Sequence, residues 1–444
     1  MLYGDQTEMA IENFGEGKID HKVISAYAEV KKACIMAIQA VEKRYEDKKY
    51  EAIIDAIDEI ISGKLDNEFV LSLSQGGAGT SLNMNVNEVI AARAQEIYFE
   101  KNKAKINISP FDDINRYQST NDTFPTAATI VFFKDLLQIE KLTIEVQEAL
   151  VEKEKKYSNI LIMGRTELQD ALPMTLQQVF GSWAGMFERD RWRLHKLKER
   201  IRNIPLGGTA IGTGFPAPAE YIYKAEYFLR EITKLPLSRS QNLPDSIANH
   251  DDYSELASGY SLLANNIQRL TEDFLLYTSS ICQEMSHPQL QYGSTIMPNK
   301  VNPVLLEWVK GITLRVKHLS HLVSDYNVEG NFQLNAFLPF IVETMIEITD
   351  LLSKALKGIK RFIEIVIINE DIIKRNLDHS KAILNLLLPI LGYEDSKELV
   401  NKMPKFSDFA EIKKWLSENN VNSKTLEKLE NENIVNFIRK NRLQ

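Results

Sequence analysis

Three successive stretches repeat their apolar residues at alternating steps of four and three. The first stripe, within residues 253 to 282, is Leu256, Tyr260, Leu263, Ile267, Leu270, Phe274, Tyr277 and Ile281. The second is Leu305, Val309, Ile312, Val316, Leu319, Val323 and Tyr326, and the third is Ile341, Met345, Ile348, Leu352, Ala355 and Ile359. Such spacing keeps one face of a helix apolar and leaves the other polar. Each stripe predicts a long amphipathic helix, and three such helices make a bundle. At 1.5 Å per residue they run roughly 30 to 45 Å, longer than one compact core needs, and the near-3.5 repeat favours shallow crossing angles. Some of their apolar surface is expected to meet other subunits.

Residues 20 to 62, 86 to 104, 141 to 156 and 173 to 202 also read as helices, and nothing sustains the period-two alternation of a strand. The fold class is therefore mainly α. PLGGTAIGTGFPAPAEY, 205 to 221, breaks the pattern and is long enough for a functional loop or a small hairpin. After about residue 370 the chain turns into Lys-, Glu- and Asn-rich short helices ending in IVNFIRKNRLQ. The expected division is 1–115, an N-terminal helical domain; 116–370, the long-helix bundle; and 371–444, a small C-terminal helical domain.

A chain of 444 residues exceeds the usual size of one core. Its net charge of −8 comes from 53 basic and 61 acidic residues that are well mixed, which argues against nucleic-acid or membrane-surface binding. An anionic ligand must then be held by local chemistry. Cys34 and Cys282 stand far apart without metal or redox spacing, and no basic segment leads into an apolar signal core, so a cytoplasmic setting is expected. No apolar run reaches the roughly 18 residues of a membrane span.

Four islands are rich in small hydroxyl, amide and Gly residues: SQGGAGTSLNMN (74 to 85), NRYQSTNDTFPTA (115 to 127), GRTELQDALPMTL (164 to 175) and GSTIMPNKVNP (293 to 303). Each lies beside an expected helix start, where unpartnered amides and the helix dipole favour an anion. The same residue types also serve as helix caps and turns. Capping alone does not call for four islands, nor for a Lys between two prolines. Together they suit a small dicarboxylate. The Gly-rich island lacks the ending of a phosphate loop and follows no strand.

GSTIMPNKVNP resembles the signature loop of the aspartase/fumarase superfamily, GSxxMPxKxNP. The other islands resemble that family's remaining blocks, in order, from YGDQTEMAIENF (3 to 14) to LLPILGYEDSKELVNK (387 to 402). The resemblance implies a three-domain subunit whose long helices join those of three others in a twenty-helix core. It implies a homotetramer with active sites shared by three subunits. Family members eliminate ammonia or water from a substituted succinate to give fumarate, with no organic or redox cofactor and with room for activation by a divalent metal.

By the same resemblance Ser294 is the base, acting as an alkoxide, with Lys300 and the loop's own amides as available donors to its oxyanion. Thr80, Ser119, Thr120 and Thr295 are implied to hold the carboxylate that becomes the aci-form, with Ser81 beside Thr80 in the same binding set. Lys300 and Asn302 are implied to hold the other carboxylate, with Asn121 and Thr166 near the leaving group. A loop bearing the base gains from closing over substrate, since excluding water strengthens every interaction inside.

Two positions depart from the family pattern. Glu167 stands where many members have His in GRTHxQD, and the chain's seven histidines all lie outside the islands. Fumarases are expected to use that His with a Glu whose counterpart is Glu307, so hydration is disfavoured. Two nearby carboxylates would need a proton or a cation between them, and a substrate amine is such a cation. Met9 stands where Arg is frequent. The expected activity is a carbon–nitrogen lyase acting on aspartate or an N-substituted aspartate, the alternatives being a fumarate hydratase and a catalytically silent structural homologue.

Overall fold

The computed structural model describes residues 1–404, 409–430 and 433–436. The helices are α1 (Asp5–Phe14), α2 (His21–Glu42), α3 (Asp47–Ile61), α4 (Thr80–Asn102), α5 (Thr120–Lys156), α6 (Leu176–Arg200), α7 (Ala219–Thr233), α8 (Leu243–Ala248), α9 (Asp251–Thr278), α10 (Val304–Val328) and α11 (Leu338–Ile365). Short helices follow: α12 (Glu370–Asp378), α13 (Leu388–Leu391), α14 (Tyr393–Lys402), α15 (Phe409–Glu418) and α16 (Ser423–Glu427). The longest strands, β1 (Leu161–Thr166) and β2 (Gln169–Thr175), form an antiparallel hairpin. The fold is mainly helical, as the periodicity requires. The last residues of the expected tail, from position 437 onward, lie outside the described residues, as do 405–408 and 431–432.

The chain divides into two compact units. The first comprises residues 1–141, 192–264 and 313–353, and the second 142–191, 265–312 and 354–444. In the first, α2 packs on α3 and α7, and α3 on α4. The α3 face Ala52, Ile53, Ala56, Ile57 and Ile60 is fully covered, with its charged residues turned outward. Aromatic edges add to this core: Tyr27 meets Phe124 at 6.0 Å and Phe132 meets Tyr253 at 4.8 Å, both edge-on. In the second unit Phe180, Trp183, Phe274 and Phe362 form a continuous aromatic chain with centroids 5.0 to 5.2 Å apart. Beyond α12, Ile383, Leu387, Ile412, Leu416 and Leu429 close a smaller apolar cluster.

Three details differ from the sequence reading. Helix α5 begins at Thr120, about twenty residues before the expected 141, and spans about 55 Å. Its first half is buried on almost every side, so it shows no apolar stripe, and Pro125 lies inside it as the sixth residue, offering no amide to the Asn121 carbonyl. Residues 173 to 175 belong to a strand. Ile281, placed on the α9 stripe, lies beyond the helix end and is 96% exposed. No helix among the described residues is long and apolar enough to cross a membrane.

His250, just ahead of α9, is buried with its Nε2 unpartnered and its ring stacked 5.3 Å from Tyr253. Burial lowers its pKa to about 4. In the unfolded chain the imidazole takes a proton near pH 6.5, so acidification from 6.5 to 4 favours unfolding by up to about 1.4 kcal/mol per pH unit. His250→Phe keeps the ring and removes the proton acceptor. Its unfolding free energy, measured against denaturant at pH 7, 6, 5 and 4, is expected to fall less steeply with acid than that of the natural chain; parallel curves would refute this.

Candidate active site

In the first unit two polar islands reach helix starts. SQGGAGTS leads into α4 through Gly77, Ala78 and Gly79, all with positive φ. Gly79 has φ +89, and a Cβ there would stand 2.4 Å from the Phe124 ring. Only Gly fits, and the close approach leaves Thr80 exposed and Ser81 half-buried at the first turn of α4. These hydroxyls stand beside amides that have no intrahelical partner.

The second island caps α5. Ser119 Oγ accepts from the Asn121 amide at 3.2 Å, and the Ser119 amide donates to Asp122 Oδ1 at 3.0 Å, a reciprocal cap. Asp122 Oδ2 also accepts the amides of Gly207 and Thr209, each at 3.0 Å. Asn121 Nδ2 donates to the Ala210 carbonyl at 2.8 Å. The 205 to 221 segment is thus a loop pinned to the start of α5. Asp122 is buried, and desolvation raises its pKa to about 7 against the pull of its backbone donors. Thr120 is buried at the first position of the helix. Capping therefore does account for the Ser119 hydroxyl, which retains its own proton for a second partner.

Beneath both islands lies Lys31, fully buried on α2. Its Nζ donates to Asn83 Oδ1 on α4 at 2.7 Å and to Asn115 Oδ1 and Gln118 Oε1 ahead of α5, each at 3.0 Å. Asn83 and Asn87 also donate to Asn115 Oδ1, both at 3.2 Å. The Tyr27 hydroxyl joins Asn83 to Thr123. Sequence reading missed Lys31 and Asp122. The available signal was a Lys on the covered face of α2, one turn beyond Tyr27 and one before Cys34 and Ile35.

In the second unit the third island is not a helix start but the β1–β2 hairpin, so no helix dipole acts at Thr166. Glu167 and Leu168 form its two-residue turn with φ 52 and 64, both left-handed as a type I′ turn requires. Thr166 and Glu167 are exposed. The hairpin is clamped from behind. Arg165 reaches buried Glu284 with two guanidinium bonds of 2.7 and 2.8 Å, and Asp170 across the hairpin at 3.0 Å. Glu284 also accepts from Asn376 on α12 at 3.0 Å. A cavity of about 670 Å³ opens here, lined by Arg165, Glu167, Leu168, Asp273, Tyr277 and Asn376 among others.

The 293 to 303 loop closes on itself. Asn302 Nδ2 donates to the Gly293 carbonyl at 2.7 Å, and a Cβ on Gly293 would collide with the Lys300 carbonyl at 1.9 Å. Ser294 Oγ accepts the amides of Ile296 and Met297 at 3.3 and 3.1 Å. Both donors suit a negatively charged oxygen. Thr295 and Lys300 are exposed, and Lys300 Nζ makes no hydrogen bond or ion pair among the described residues. Glu307 is exposed in the first turn of α10, and neither it nor Glu167 has an ion-pair partner among the described residues. Met9 is exposed on α1. Among the described residues no group of three or more His, Cys, Asp or Glu side chains is placed to hold a metal.

Gly79→Ala tests the α4 start. The left-handed backbone and the Phe124 contact together are expected to lower the unfolding free energy by roughly 2 kcal/mol or more in equilibrium denaturation. A loss under about 0.5 kcal/mol would mean that the loop relaxes freely.

A family model described as a lyase matches residues 1–317. Aspartate ammonia-lyase of Bacillus subtilis is 34% identical over 415 residues, covering 90% of this chain and 86% of its own. Class II fumarate hydratase of Staphylococcus epidermidis is 34% identical over 411 residues, covering 91% and 88%. Among solved structures, a cobalt-bound fumarate lyase:delta crystallin from Brucella melitensis superposes with a TM-score of 0.89 at 30% identity, covering 99% and 95%. The class II fumarase of Schistosoma mansoni gives 0.86 at 25% identity, covering 96% and 94%. This chain belongs to the aspartase/fumarase superfamily, as a lyase.

Proposed function

We propose that this lyase breaks a carbon–nitrogen bond, releasing ammonia or a substituted amine from aspartate or an N-substituted aspartate to give fumarate. The observation that carries the reading is Glu167: an exposed carboxylate with no cation partner among the described residues, held at a left-handed turn and lining a cavity of about 670 Å³. A substrate ammonium supplies the missing charge. Water leaving from malate offers Glu167 nothing comparable.

Ser294 takes the proton from the carbon beside the carboxylate. The C–H electron pair first enters that carboxylate as the aci-form, then becomes the double bond as the C–N bond breaks and its pair leaves with the neutral amine. The Ile296 and Met297 amides favour the serine oxyanion, and Lys300 is free to meet a substrate carboxylate. Thr80, Ser81, Ser119, Thr120 and Asn121 hold the dicarboxylate with Thr166, Thr295 and Asn302. Different copies of the chain supply these groups in a homotetramer. Hydration is the second reading, favoured by a fumarate hydratase relative as similar as the ammonia-lyase one.

Loss of fumarate absorbance separates the two. Consumption with ammonium or a larger amine, and none without amine, is the expected result; malate formed without amine would replace this reading by hydration. Ser294→Ala is expected to lower turnover about a thousandfold. Glu167→Gln is expected to raise the KM for the amine about tenfold, and an unchanged amine preference would remove Glu167 from the mechanism.

A further inference from the structure

The dicarboxylate reading leaves one buried cation unexplained. Lys31 is fully enclosed in the first unit beneath the two islands, and the three oxygens around it come from amide side chains rather than from carboxylates. A lysine has three N–H donors only when protonated, and each of the three is matched by one oxygen. Burial pulls its pKa down to about 7, whereas the converging oxygens favour the charged form. The groups facing it that carry or can take charge are the Asp122 carboxylate and the Cys34 thiol, and the Tyr27 ring lies 5.5 Å away.

Those amide oxygens are not scattered. Asn83 sits on the first turn of α4, three residues past Thr80. Asn115 and Gln118 bracket the turn that ends at Ser119. Gln118 further donates to the carbonyls of Ile114 and Arg116, at 2.8 and 3.3 Å, which fixes that turn internally. One ammonium thus ties together two segments more than thirty residues apart in sequence, each leading into a helix start that offers amides and hydroxyls. Its charge also opposes Asp122, which would otherwise set a bare negative charge beside the amides of α5 and repel an incoming carboxylate.

We propose that Lys31 is a positioning residue for dicarboxylate binding: its buried ammonium, through Asn83, Asn115 and Gln118, holds the starts of α4 and α5 in the arrangement that presents Thr80, Ser81, Ser119 and Thr120 to one carboxylate. It touches no substrate itself. The inference rests on the dicarboxylate reading of the site.

The test uses the full-length protein and succinate, a saturated dicarboxylate that neither elimination nor hydration can convert, with binding followed by calorimetry. Lys31→Met keeps much of the stem and removes the charge; it is expected to raise the succinate Kd at least tenfold. Gln118→Ala removes one of the three acceptors at a half-buried position that tolerates truncation, and is expected to raise the Kd about threefold even if Lys31→Met does not fold. Ile57→Ala, in the covered face of α3, loses stability without touching the ammonium and is expected to leave the Kd unchanged. Equal Kd values for the natural chain and Gln118→Ala, or an equal rise in Ile57→Ala, would overturn the positioning role. Absence of succinate binding by the natural chain would overturn the dicarboxylate reading and this inference with it.

Discussion

Two buried opposite charges, Lys31 and Asp122, govern how the first unit can present a helix end. Neither can be enclosed without partners, because each isolated ion costs several kcal/mol to desolvate. Asp122 meets this with the amides of Ser119, Gly207 and Thr209, and Lys31 with three amide side chains. The result is that α5 starts at one defined residue with its capping turn held from two sides. A net-acidic chain has no broad positive field to attract a dicarboxylate. The donors at the starts of α4 and α5 are local ones, and the contacts of Lys31 and Asp122 hold the segments that bear them.

The second unit solves a different problem with the same means. Its 293 to 303 loop turns tightly enough for the Ile296 and Met297 amides to point at Ser294 Oγ. The closure depends on Gly293, where the backbone passes too close to Lys300 for a side chain. Close by in sequence, buried Glu284 grips Arg165 with both oxygens, so the hairpin bearing Thr166 and Glu167 is anchored through a charged pair whose geometry a Lys could not reproduce.

The long helices were legible because their apolar residues keep one face over about five to seven turns. The first half of α5 was not, since a helix buried on all sides has no stripe to reveal it. The serine loop was legible because a Lys between prolines serves no packing purpose, and its pattern resembles a known family. The hairpin was not, because Glu167 and Leu168 are poor indicators of a left-handed turn, whose usual sign is Asn or Gly. Lys31 hid for a third reason. On an apolar face a Lys can stretch to the surface, and only the positions of Asn83, Asn115 and Gln118, distant in sequence, show that it stays inside.

The hairpin turn also bears on how a family of such enzymes diversifies. Its two residues are joined to the protein by backbone geometry and by the Arg165 clamp behind them, while Leu168 is 70% exposed and Glu167 lies open to solvent. Exchanging this pair rewrites the chemistry offered at the cavity rim without opening a void in any core. Side chains at this tip can therefore be exchanged without disturbing a core, which leaves the rim of the cavity the part of the hairpin most open to change.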